Sequence, residues 1–492
     1  MMREKYESLS LGVLKDLAKA RDIKGTSTMK KAELVEAMLK KDEEEAVASS
    51  TTPARTKSSE KTVKSKNSAA DEKGSVKDKK VSAKGEEAEE KSAEKVTEEK
   101  KPDDNGIEEF SKDKESLDSG VQARGILEVM SDGYGFIRCA NYLPGENDVY
   151  VAPSQIRRFG LKTGDIICGN TRIKGQNDKF AALLYVKSIN GYTPSDAAKR
   201  RNFEDLTPVF PDERLRLERP GGSIAMRIMD LMSPVGKGQR GMIVSQPKAG
   251  KTTLLKDVAK SLTMNNPEMY LIILLIDERP EEVTDIKEAI EGENVEVIYS
   301  TFDELPEHHK RVSEMVIERA KRLVEHKKDV TILLDSITRL TRAYNLTVPP
   351  SGRTLSGGLD PAALHMPKRF FGAARKMREG GSLTILATAL VETGSKMDDV
   401  VYEEFKGTGN MELVLDRKLS EKRVFPAIDI PKSGTRRDDL LLDPEELEAI
   451  NMMRRAFNSS KGDEAVEKIL DMFTRTRNNR EFVDMVKKIR FM

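Results

Sequence analysis

From about residue 223 onward, the chain alternates between short, continuous apolar runs and longer stretches in which apolar residues recur at helical spacing. A continuous apolar run is typical of a parallel strand that is covered on both faces, and strands that alternate with helices favour an α/β fold. We therefore predict an α/β domain over 223–492 with a mainly parallel sheet and a mostly helical end from Pro444. The predicted strands are 241–244, 271–276, 330–335 and 383–389, and one predicted helix is 314–327.

Residues 120–191 follow a different pattern. Short apolar runs recur at regular intervals and are separated by Gly, Pro, Asn and Asp. Regular short strands with turn signals favour a small β-barrel of the OB-fold or cold-shock-like type. Residues 192–222, which are rich in charge, Pro and Gly, are predicted to connect this barrel to the α/β domain. The predicted barrel strands are 124–129, 135–139, 148–151, 165–173 and 180–189.

The N-terminal part is predicted to contain a small helical unit over 1–41, followed by a long charged segment. Two groups of apolar residues in the first unit recur at helical spacing. Residues 42–119 are dominated by Lys, Glu, Asp, Ser and Ala, with Phe110 as the one aromatic residue. Because so little apolar area cannot offset the entropy of ordering the chain, we predict that this insert is disordered. It would serve either as a solvated spacer or as a loose electrostatic contact for RNA.

Composition limits the function classes without choosing among them. The 492 residues predict a multidomain chain, and a formal net charge of +1 means that any basic surface must be local. Cys139 and Cys168 are the two cysteines, which fits a reducing compartment and excludes a zinc ribbon or a disulfide scaffold. No apolar run approaches the length of a membrane span, and the first residues lack a signal-peptide pattern. We therefore expect a soluble, cytoplasmic protein.

The segment 244–253, VSQPKAGKTT, lies between a predicted strand and a predicted helix. This context is typical of a phosphate-binding loop, whose backbone N–H groups and helix N-terminus hold phosphate oxygens. Lys251 is expected to reach the β- and γ-phosphates of ATP, and Thr252 to place its hydroxyl on Mg²⁺. The general pattern begins with Gly where this chain has Ser245, so a turn that binds nothing is the alternative. The other loop residues expected to bind the nucleotide are Gln246, Pro247, Lys248, Ala249, Gly250 and Thr253.

Two acidic residues follow predicted strands. Asp335 ends the run 330–335, and Glu278 follows the run 271–276. Ligands of open α/β sheets bind at the carboxyl ends of the strands. We therefore expect Asp335 to organise Mg²⁺ and Glu278 to polarise the water that attacks ATP. Alternatively, each acid only solvates the end of its strand.

Aromatic residues of the predicted barrel indicate a second site. Strand alternation places Tyr134, Phe136 and Arg138 on one face. An arginine on the aromatic face indicates that this face is a surface, and two rings with a guanidinium group are what a base-stacking platform requires. Tyr150 and Phe180, on neighbouring predicted strands, would extend the platform. The alternative is that these aromatic residues form an ordinary core.

Several longer strings carry a resemblance to a known family. They are DGYGF at 132–136, VYVAPSQIRR at 149–158, PKAGKT at 247–252, LIDERPEEVT at 275–284, LDSITR at 334–339, KRFFGAAR at 368–375 and EEFKGTGNME at 403–412. The chain resembles the Rho family of bacterial transcription termination factors, which are RNA-dependent ATPases and helicases with a RecA-type hexameric core. The phosphate-binding loop of that family also lacks the first Gly. The resemblance covers the whole chain except for about 42–119.

The resemblance implies a homohexameric ring. Members of this family bind unstructured, C-rich nascent RNA on the barrels and pull it through the ring with ATP hydrolysis. They thereby dislodge RNA polymerase, with which elongation factors associate. It also implies that Phe425 stacks on the adenine. Arg436 resembles the family's arginine finger, which reaches the γ-phosphate held by a neighbouring subunit, and Arg423 is expected to lie close by in the same class of role.

Further RNA contacts are implied by the same resemblance. The loop 348–358 matches the family's first pore loop, in which Arg353 stands where Lys is common, so that the charge is kept while its geometry changes. The segment 393–396 matches the second pore loop and places Lys396 on the RNA phosphate backbone. On the barrel, Asp178 joins the aromatic residues and Arg138 in the implied RNA-binding set.

Two other function classes fit parts of the sequence. A rotary or secretion-type ATPase subunit shares the RecA-type core, but it would not need an aromatic barrel face and typically has Gly-Glu-Arg where this chain has Asp277-Glu278-Arg279. A non-enzymatic RNA-binding protein would use the barrel alone. It would have no need for the combination of Lys251 with two strand-end acids.

Overall fold

The computed structural model describes residues 18, 29–37, 39–40, 117–175, 178–459 and 462–488. The chain divides into two compact units, Met1–Glu99 and Lys100–Met492. In the first unit, residues 31–37 are helical, and Ala18, Leu34 and Val35 are buried. These residues agree with part of the predicted N-terminal helical unit. The rest of that prediction, and the predicted disorder of the insert up to residue 116, lie outside the described residues.

The second unit begins with five strands that close into a barrel in the order β1-β2-β3-β5-β4. Neighbouring strands are antiparallel except β3 and β5, which are parallel. This strand order is the Greek-key arrangement of a five-stranded OB-fold barrel, so the predicted barrel is confirmed. The strands are β1 Asp118–Val129, β2 Gly135–Arg138, β3 Val149–Val151, β4 Ile166–Arg172 and β5 Ala181–Ile189; helix α1 Pro153–Phe159 follows β3, and α2 Pro194–Ala197 follows β5.

Aliphatic side chains fill the barrel. Leu127, Ile137, Val151, Ile167 and Ile189 are buried at its centre, which leaves the aromatic residues of β2 and β3 outside this core. The first strand starts earlier than predicted. Asp118 accepts a 2.8 Å hydrogen bond from the amide of Asn170, and the hydroxyl of Ser119 donates to Thr171 O at 2.8 Å. The expectation that the charged insert extends to residue 119 is therefore wrong, because polar cross-strand bonds extend β1 where the apolar pattern has already ended.

The α/β domain is built on a nine-stranded sheet, and its central strands lie in the order β11-β10-β12-β14-β9-β15-β16. The pairs from β11 through β15 are all parallel, whereas β16, β13 and β6 pair antiparallel at the margins. The mainly parallel sheet predicted from the apolar runs is therefore confirmed. The strands are β6 Pro208–Val209, β7 Arg214–Leu215, β8 Val235–Gly236, β9 Arg240–Ser245, β10 Tyr270–Glu278, β11 Val295–Thr301, β12 Asp329–Asp335, β13 Arg375–Met377, β14 Ser382–Leu390, β15 Met411–Val414 and β16 Gly434–Thr435; β7 and β8 form a separate pair.

Helices cover both faces of this sheet. One apolar cluster joins α3, α4 and the C-terminal helices to the sheet, and a second joins α6, α7 and α8 to it. The helices are α3 Ile224–Met232, α4 Lys251–Asn265, α5 Pro280–Ala289, α6 Pro306–Glu325, α7 Ile337–Thr347, α8 His365–Gly372, α9 Lys396–Lys406, α10 Arg417–Glu421, α11 Pro444–Ser459, α12 Gly462–Arg475 and α13 Asn479–Lys488. Short 3₁₀ turns lie at Phe203–Asp205, Ser356–Gly358, Pro361–Leu364 and Asp438–Leu440. Among the residues described, no helix is long and apolar enough to cross a bilayer.

Helix α6 is longer than the predicted helix 314–327 and joins the barrel to the ATPase sheet. The first two turns, which the prediction missed, bury the polar residues His309 and Ser313, so they carry little of the apolar periodicity on which the prediction relied. Arg200, from the connector, lies 2.5 Å from Asp165 of the barrel and 3.1 Å from Glu325. Gly164 has φ +93 and leaves no room for a side chain, since a Cβ would lie 2.4 Å from the carbonyl carbon of Glu318.

We predict that Gly164→Ala destabilises this junction. The added Cβ meets the backbone of α6, which cannot rotate away, so the free energy of unfolding should fall by about 1–3 kcal/mol beyond the cost of the left-handed φ. Gly160→Ala is the matched control, because Gly160 also has a positive φ (+58) but nothing within 4 Å of its Cβ position. Urea unfolding of the full chain would measure both. Equal midpoints for the two variants would contradict the tight contact.

Candidate functional site

The loop between β9 and α4 has the backbone of an anion-binding loop. Lys248 has φ 66 and Gly250 has φ 91, so the chain turns through left-handed conformations before Lys251 begins α4. Successive N–H groups in such a turn, together with the start of a helix, point toward one anion. The segment around α10 supports the loop from outside, since Gln246 Oε1 accepts from Arg417 N at 3.1 Å and Lys248 O accepts from Ser420 Oγ at 3.1 Å.

Lys251 lies between the two acids that the sequence singled out. Its Nζ is 2.6 Å from Asp335 Oδ1 and 3.7 Å from Glu278 Oε2. Both carboxylates are buried, with 2% of each residue exposed. Thr388, from β14, donates to Asp335 Oδ1 at 2.8 Å. The structure therefore brings together the predicted loop lysine and both predicted acids at the carboxyl edge of the sheet.

Of the two acids, Glu278 is the one that has a buried oxygen without a hydrogen-bond partner. Its Oε2 is buried without a hydrogen-bond partner, while its Oε1 accepts from Arg279 N at 3.2 Å. Burial raises the pKa of Glu278, and the neighbouring Asp335 carboxylate raises it further. A carboxylate with a raised pKa and an available oxygen is suited to take a proton from water near neutral pH.

Thr252 and Asp335 are placed for a metal ion that arrives with phosphate. Thr252 Oγ1 donates to Glu282 Oε2 at 3.3 Å, a weak bond that its hydroxyl can exchange. In the part of the chain that the structure describes, no group of three or more acidic, His or Cys side chains is arranged to hold a metal alone. Mg²⁺ in nucleotide sites takes only one or two protein ligands, with phosphate and water supplying the rest. The residues present therefore fit Mg²⁺ bound together with ATP.

A cleft of about 360 Å³ adjoins the loop on the side away from the acids. Gly250 and Thr253 form part of one wall, and Phe425 and Pro426 form part of the other. The Phe425 ring is 57% exposed, although it is a large apolar side chain. An exposed ring beside a phosphate-binding loop is positioned to stack on a nucleotide base.

The two candidate arginines lie at opposite ends of the parallel strands. Arg436 lies at their amino ends, and Arg423 lies at their carboxyl ends. Arg436 follows β16, and its N–H donates to Asn410 O at 2.8 Å beside the start of β9. The phosphate-binding loop follows the other end of β9, roughly 15 Å away at the usual rise of a strand. Arg423 instead lies near the loop, since its N–H donates to Ser420 O. The expectation that Arg423 lies close to Arg436 is therefore wrong, because the chain between them crosses from one edge of the sheet to the other.

An aromatic cluster covers one outer face of the barrel. The ring centroids of Tyr134 and Phe136 are 5.8 Å apart, those of Phe136 and Tyr150 are 6.0 Å apart, and those of Phe136 and Phe180 are 5.2 Å apart. An open cleft of about 450 Å³ borders Phe136, Tyr150, Phe180 and the exposed Asp178. Asp178 Oδ2 accepts from Gly175 N at 3.0 Å, which places its carboxylate at the rim of the cleft. The four aromatic residues thus form a continuous surface, as the sequence predicted.

Arg138 differs from the prediction that it shares this surface. Only 6% of the residue is exposed, and it forms ion pairs with Glu128 at 2.7 Å and with Asp148. Its guanidinium carbon lies 4.8 Å from the centroid of the Phe136 ring. The expectation of a surface arginine is wrong because two carboxylates hold the side chain underneath the platform. Arg138 supports the ring from behind and does not present a free charge.

The two segments that match pore loops touch each other. A Cβ on Gly357 would lie 2.5 Å from the backbone nitrogen of Met397, next to Lys396. Arg353 and Lys396 are both exposed. The structure thus brings two basic side chains onto neighbouring loops. No local pattern could predict this, because the two residues are far apart in the sequence.

Sequence reasoning assigned no role to two residues of the nucleotide site. Thr388 fixes Asp335, and Arg339 lies 3.3 Å from Asp277 and 3.9 Å from Glu278. Arg339 follows Asp335 by about one helical turn, so helical spacing from the strand end could have indicated it. No local sequence pattern indicates a role for Thr388, because that role depends on β14 lying beside β12.

A RecA-type phosphate-binding-loop domain joined to a barrel with an exposed aromatic face defines an RNA-binding ATPase. Comparisons with known families agree with this class. The profile described as "Rho termination factor, RNA-binding domain" matches residues 123–195, and "ATP synthase alpha/beta family, nucleotide-binding domain" matches 225–435. The profile "Rho termination factor, N-terminal domain" matches 5–46.

Curated relatives narrow the class to one family. Transcription termination factor Rho of Bacillus subtilis is 57% identical over 365 residues, which cover 74% of this chain and 84% of the relative. The protein of the same name from Pseudomonas aeruginosa is 57% identical over 373 residues, and these cover 75% and 88%. That from Aquifex aeolicus is 55% identical over 367 residues, which cover 74% and 84%. This chain belongs to the Rho family of transcription termination factors.

One solved structure shares the general fold. It is described as a prototypical ATPase from the type III secretion system of pathogenic bacteria, and it matches 64% of this chain and 93% of its own with a TM-score of 0.50. At 20% identity, this likeness shows the fold alone. The family assignment therefore favours the RNA-binding ATPase over a secretion-type subunit and over a barrel that only binds RNA.

The two positions of the platform predict different effects on RNA binding. Phe136→Ala should weaken binding of a short oligocytidine by about 1–3 kcal/mol, because one stacking surface is lost. Arg138→Ala should leave the salt dependence of binding nearly unchanged, since this charge is already neutralised, and should instead destabilise the barrel by about 3–5 kcal/mol. Lys179→Ala is the matched control, because the exposed lysine beside Phe180 can contact phosphate and its loss should reduce the salt slope by about one. Fluorescence anisotropy at several salt concentrations measures the affinity and salt slope of all three variants, and urea unfolding measures the stability of Arg138→Ala. A reduced salt slope for Arg138→Ala would contradict the buried role.

Proposed function

We propose that this protein is an ATP-dependent transcription termination factor acting in the cytoplasm. It binds single-stranded, C-rich nascent RNA on the barrel and moves along that RNA as an ATP-driven RNA–DNA helicase. It then acts with elongation factors as partners to release the transcript from RNA polymerase. One observation carries the proposal: a single compact unit combines an exposed aromatic platform with a phosphate-binding loop that faces two buried acids.

Each residue of the nucleotide site has a proposed role. The backbone of Gln246 to Gly250 and the start of α4 bind the β- and γ-phosphates, Thr253 and Phe425 border the base, and Phe425 stacks on the adenine. Lys251 exchanges Asp335 for a phosphate oxygen when ATP enters. Thr252 and Asp335 would hold Mg²⁺, which neutralises charge on the phosphates when it is bound. Glu278 takes a proton from the attacking water, a role supported by its burial and its raised pKa.

The proposed ring is a homohexamer in which Arg436 serves the neighbouring subunit. The distance of Arg436 from its own phosphate-binding loop supports an action across a subunit boundary, whereas Arg423 lies on the side of its own loop. Arg353 and Lys396 would contact the RNA backbone in the pore. Their exposure and the contact between their loops support a shared response to RNA.

ATP hydrolysis should depend on RNA and on Glu278. We expect poly(C) RNA to stimulate the wild-type ATPase, and Glu278→Gln to bind ATP but lose about 10²–10⁴-fold in kcat, because a positioned proton acceptor is removed. Lys251→Ala should instead lose nucleotide binding. Steady-state ATPase assays with poly(C), with poly(A) and without RNA distinguish the proposal from its alternatives. Hydrolysis that is indifferent to RNA would contradict an RNA-dependent enzyme, and wild-type kcat in Glu278→Gln would reject the proposed base.

Mixed rings test the arginine finger. Subunits with Arg436→Ala keep an intact loop but should inactivate the site of a neighbour, and arginine fingers contribute about 10³–10⁵-fold in rate. When the variant is titrated into wild-type rings, each variant subunit should inactivate the site of one neighbour while its own loop still binds ATP. A mixture of Arg436→Ala with Lys251→Ala subunits should recover some activity, because some boundaries then join an intact arginine to an intact loop. A lack of recovery in this mixture would contradict action in trans.

A further inference from the structure

The loop between β2 and β3 of the barrel, residues 139–148, is docked on the edge of the ATPase sheet. Asn141 Nδ2 donates to Tyr299 O at 2.7 Å, and Asn141 Oδ1 accepts from Tyr299 N at 3.1 Å. Tyr299 belongs to β11, whose other edge is paired with β10, so the amide takes the place of a missing strand partner. Neither RNA stacking nor nucleotide binding requires these two bonds.

The tip of this loop is held in an unfavourable conformation. Asn141 has φ 44 and Tyr142 has φ 60, and a left-handed backbone is costly for a bulky residue such as Tyr. Tyr142 is buried, and its hydroxyl donates to Glu296 of β11. Arg319 of α6 lies 3.6 Å from the same carboxylate. The contacts with β11 and α6 therefore maintain a loop shape that the loop alone would not favour.

The two ends of the loop emerge from the aromatic platform. Arg138 is the last residue of β2, Asp148 precedes β3, and their side chains form an ion pair that closes the base of the loop. Arg138 lies against the Phe136 ring, and Phe136 is paired across the strands with Tyr150. A base that stacks on these rings thus contacts the residues from which the loop emerges.

The strand on which the loop docks also sets the direction of Glu278. Ile276 is paired with Ser300 and Glu278 with Thr301, so a bulge at Asp277, which has φ 56, interrupts the β10–β11 register. Phe302 N donates to Glu278 O at 3.1 Å. Bulges next to active sites re-aim a side chain. The position of β11 at residues 299–302 therefore determines where the Glu278 carboxylate points.

We propose that Asn141 is a positioning residue for ATP hydrolysis that links the RNA-stacking face to Glu278 through β11. Bases that stack on Phe136 and Tyr150 shift the loop, the amide of Asn141 transmits the shift to Tyr299, and the bulge turns Glu278 toward the attacking water. This proposal rests on the proposed function.

The test compares substitutions at Asn141 that the backbone tolerates. Asn141→Gly removes both hydrogen bonds and accepts a positive φ, while Asn141→Asp keeps the acceptor toward Tyr299 N but loses the donor. Glu146→Gly is the control, because Glu146 is an exposed residue of the same loop. For each full-length protein we would measure kcat and KM for ATP with and without poly(C). We would also measure the affinity for a labelled oligocytidine without nucleotide.

We expect Asn141→Gly to lose about ten-fold of the RNA-stimulated kcat, because a misplacement of about 1 Å at the reacting groups can cost about 10²-fold in rate. Its basal kcat, its KM for ATP and its affinity for oligocytidine should stay within about two-fold of wild type, below the usual range of coupling between binding sites. Asn141→Asp should be intermediate, and Glu146→Gly should behave as wild type. A purely structural role would lower oligocytidine affinity or basal activity instead.

Three outcomes overturn the link. Wild-type stimulation in Asn141→Gly shows that the two bonds carry no coupling, and an equal loss in Glu146→Gly shows that only the flexibility of the loop matters. A parallel loss of oligocytidine affinity shows that Asn141 maintains the barrel rather than the catalytic geometry. These results leave the proposed function standing. If poly(C) fails to stimulate even the wild-type enzyme, the proposed function fails, and the link fails with it.

Discussion

The nucleotide site depends on keeping two carboxylates buried within reach of one ammonium group. Removing charges from water costs several kcal/mol each unless partners replace the water. Asp335 is satisfied by Lys251 and Thr388, whereas Glu278 retains a buried oxygen with no hydrogen bond. The site is therefore suited to bind a group that supplies new partners for these charged side chains. A magnesium-bound triphosphate would do so, since it provides Lys251 with a new partner and Asp335 with a cation.

The order of the strands makes this charge cluster possible. β10, β12 and β14 are consecutive parallel neighbours, so their carboxyl ends meet at one edge and bring Glu278, Asp335 and Thr388 together. β9 is the next strand in the sheet and delivers the phosphate-binding loop to the same edge. Because parallel strands all end on one side, Arg436 at the opposite edge is excluded from this site within the subunit. Arg339 and Arg423, by contrast, lie on the same side of the sheet as the site.

The barrel is part of the same compact unit as the ATPase domain because charged and polar groups fix it there. Asp165, Arg200 and Glu325 form buried ion pairs at the junction, and Gly164 allows the backbones to approach closely. On the neighbouring side, Asn141 completes the edge of β11. Separating a buried ion pair leaves an uncompensated buried charge, so a different orientation of the barrel would be costly. A defined orientation is what communication between an RNA site and a nucleotide site requires.

The residue pattern was sufficient to predict the barrel, the parallel sheet, the phosphate-binding loop and the strand-end acids, because each of these follows from local periodicity or from short-range spacing. Strand ends were predicted to within a few residues, and the aromatic cluster was predicted from strand alternation. The start of β1 and the first turns of α6 were not predicted, because polar cross-strand bonds and buried polar side chains such as His309 and Ser313 leave no apolar pattern in the sequence.

Contacts between distant segments were decided by the tertiary structure alone. Local alternation placed Arg138 on the aromatic face, but only the approach of Glu128 and Asp148 shows that it is buried beneath the rings. The family resemblance grouped Arg423 with Arg436, although the sheet separates them by the length of its strands. The pairing of Lys251 with Asp335, the support from Thr388 and the docking of Asn141 on Tyr299 join residues between 53 and 158 positions apart. Local spacing carries no information about such pairs, because their distance is set by which strands become neighbours when the chain folds.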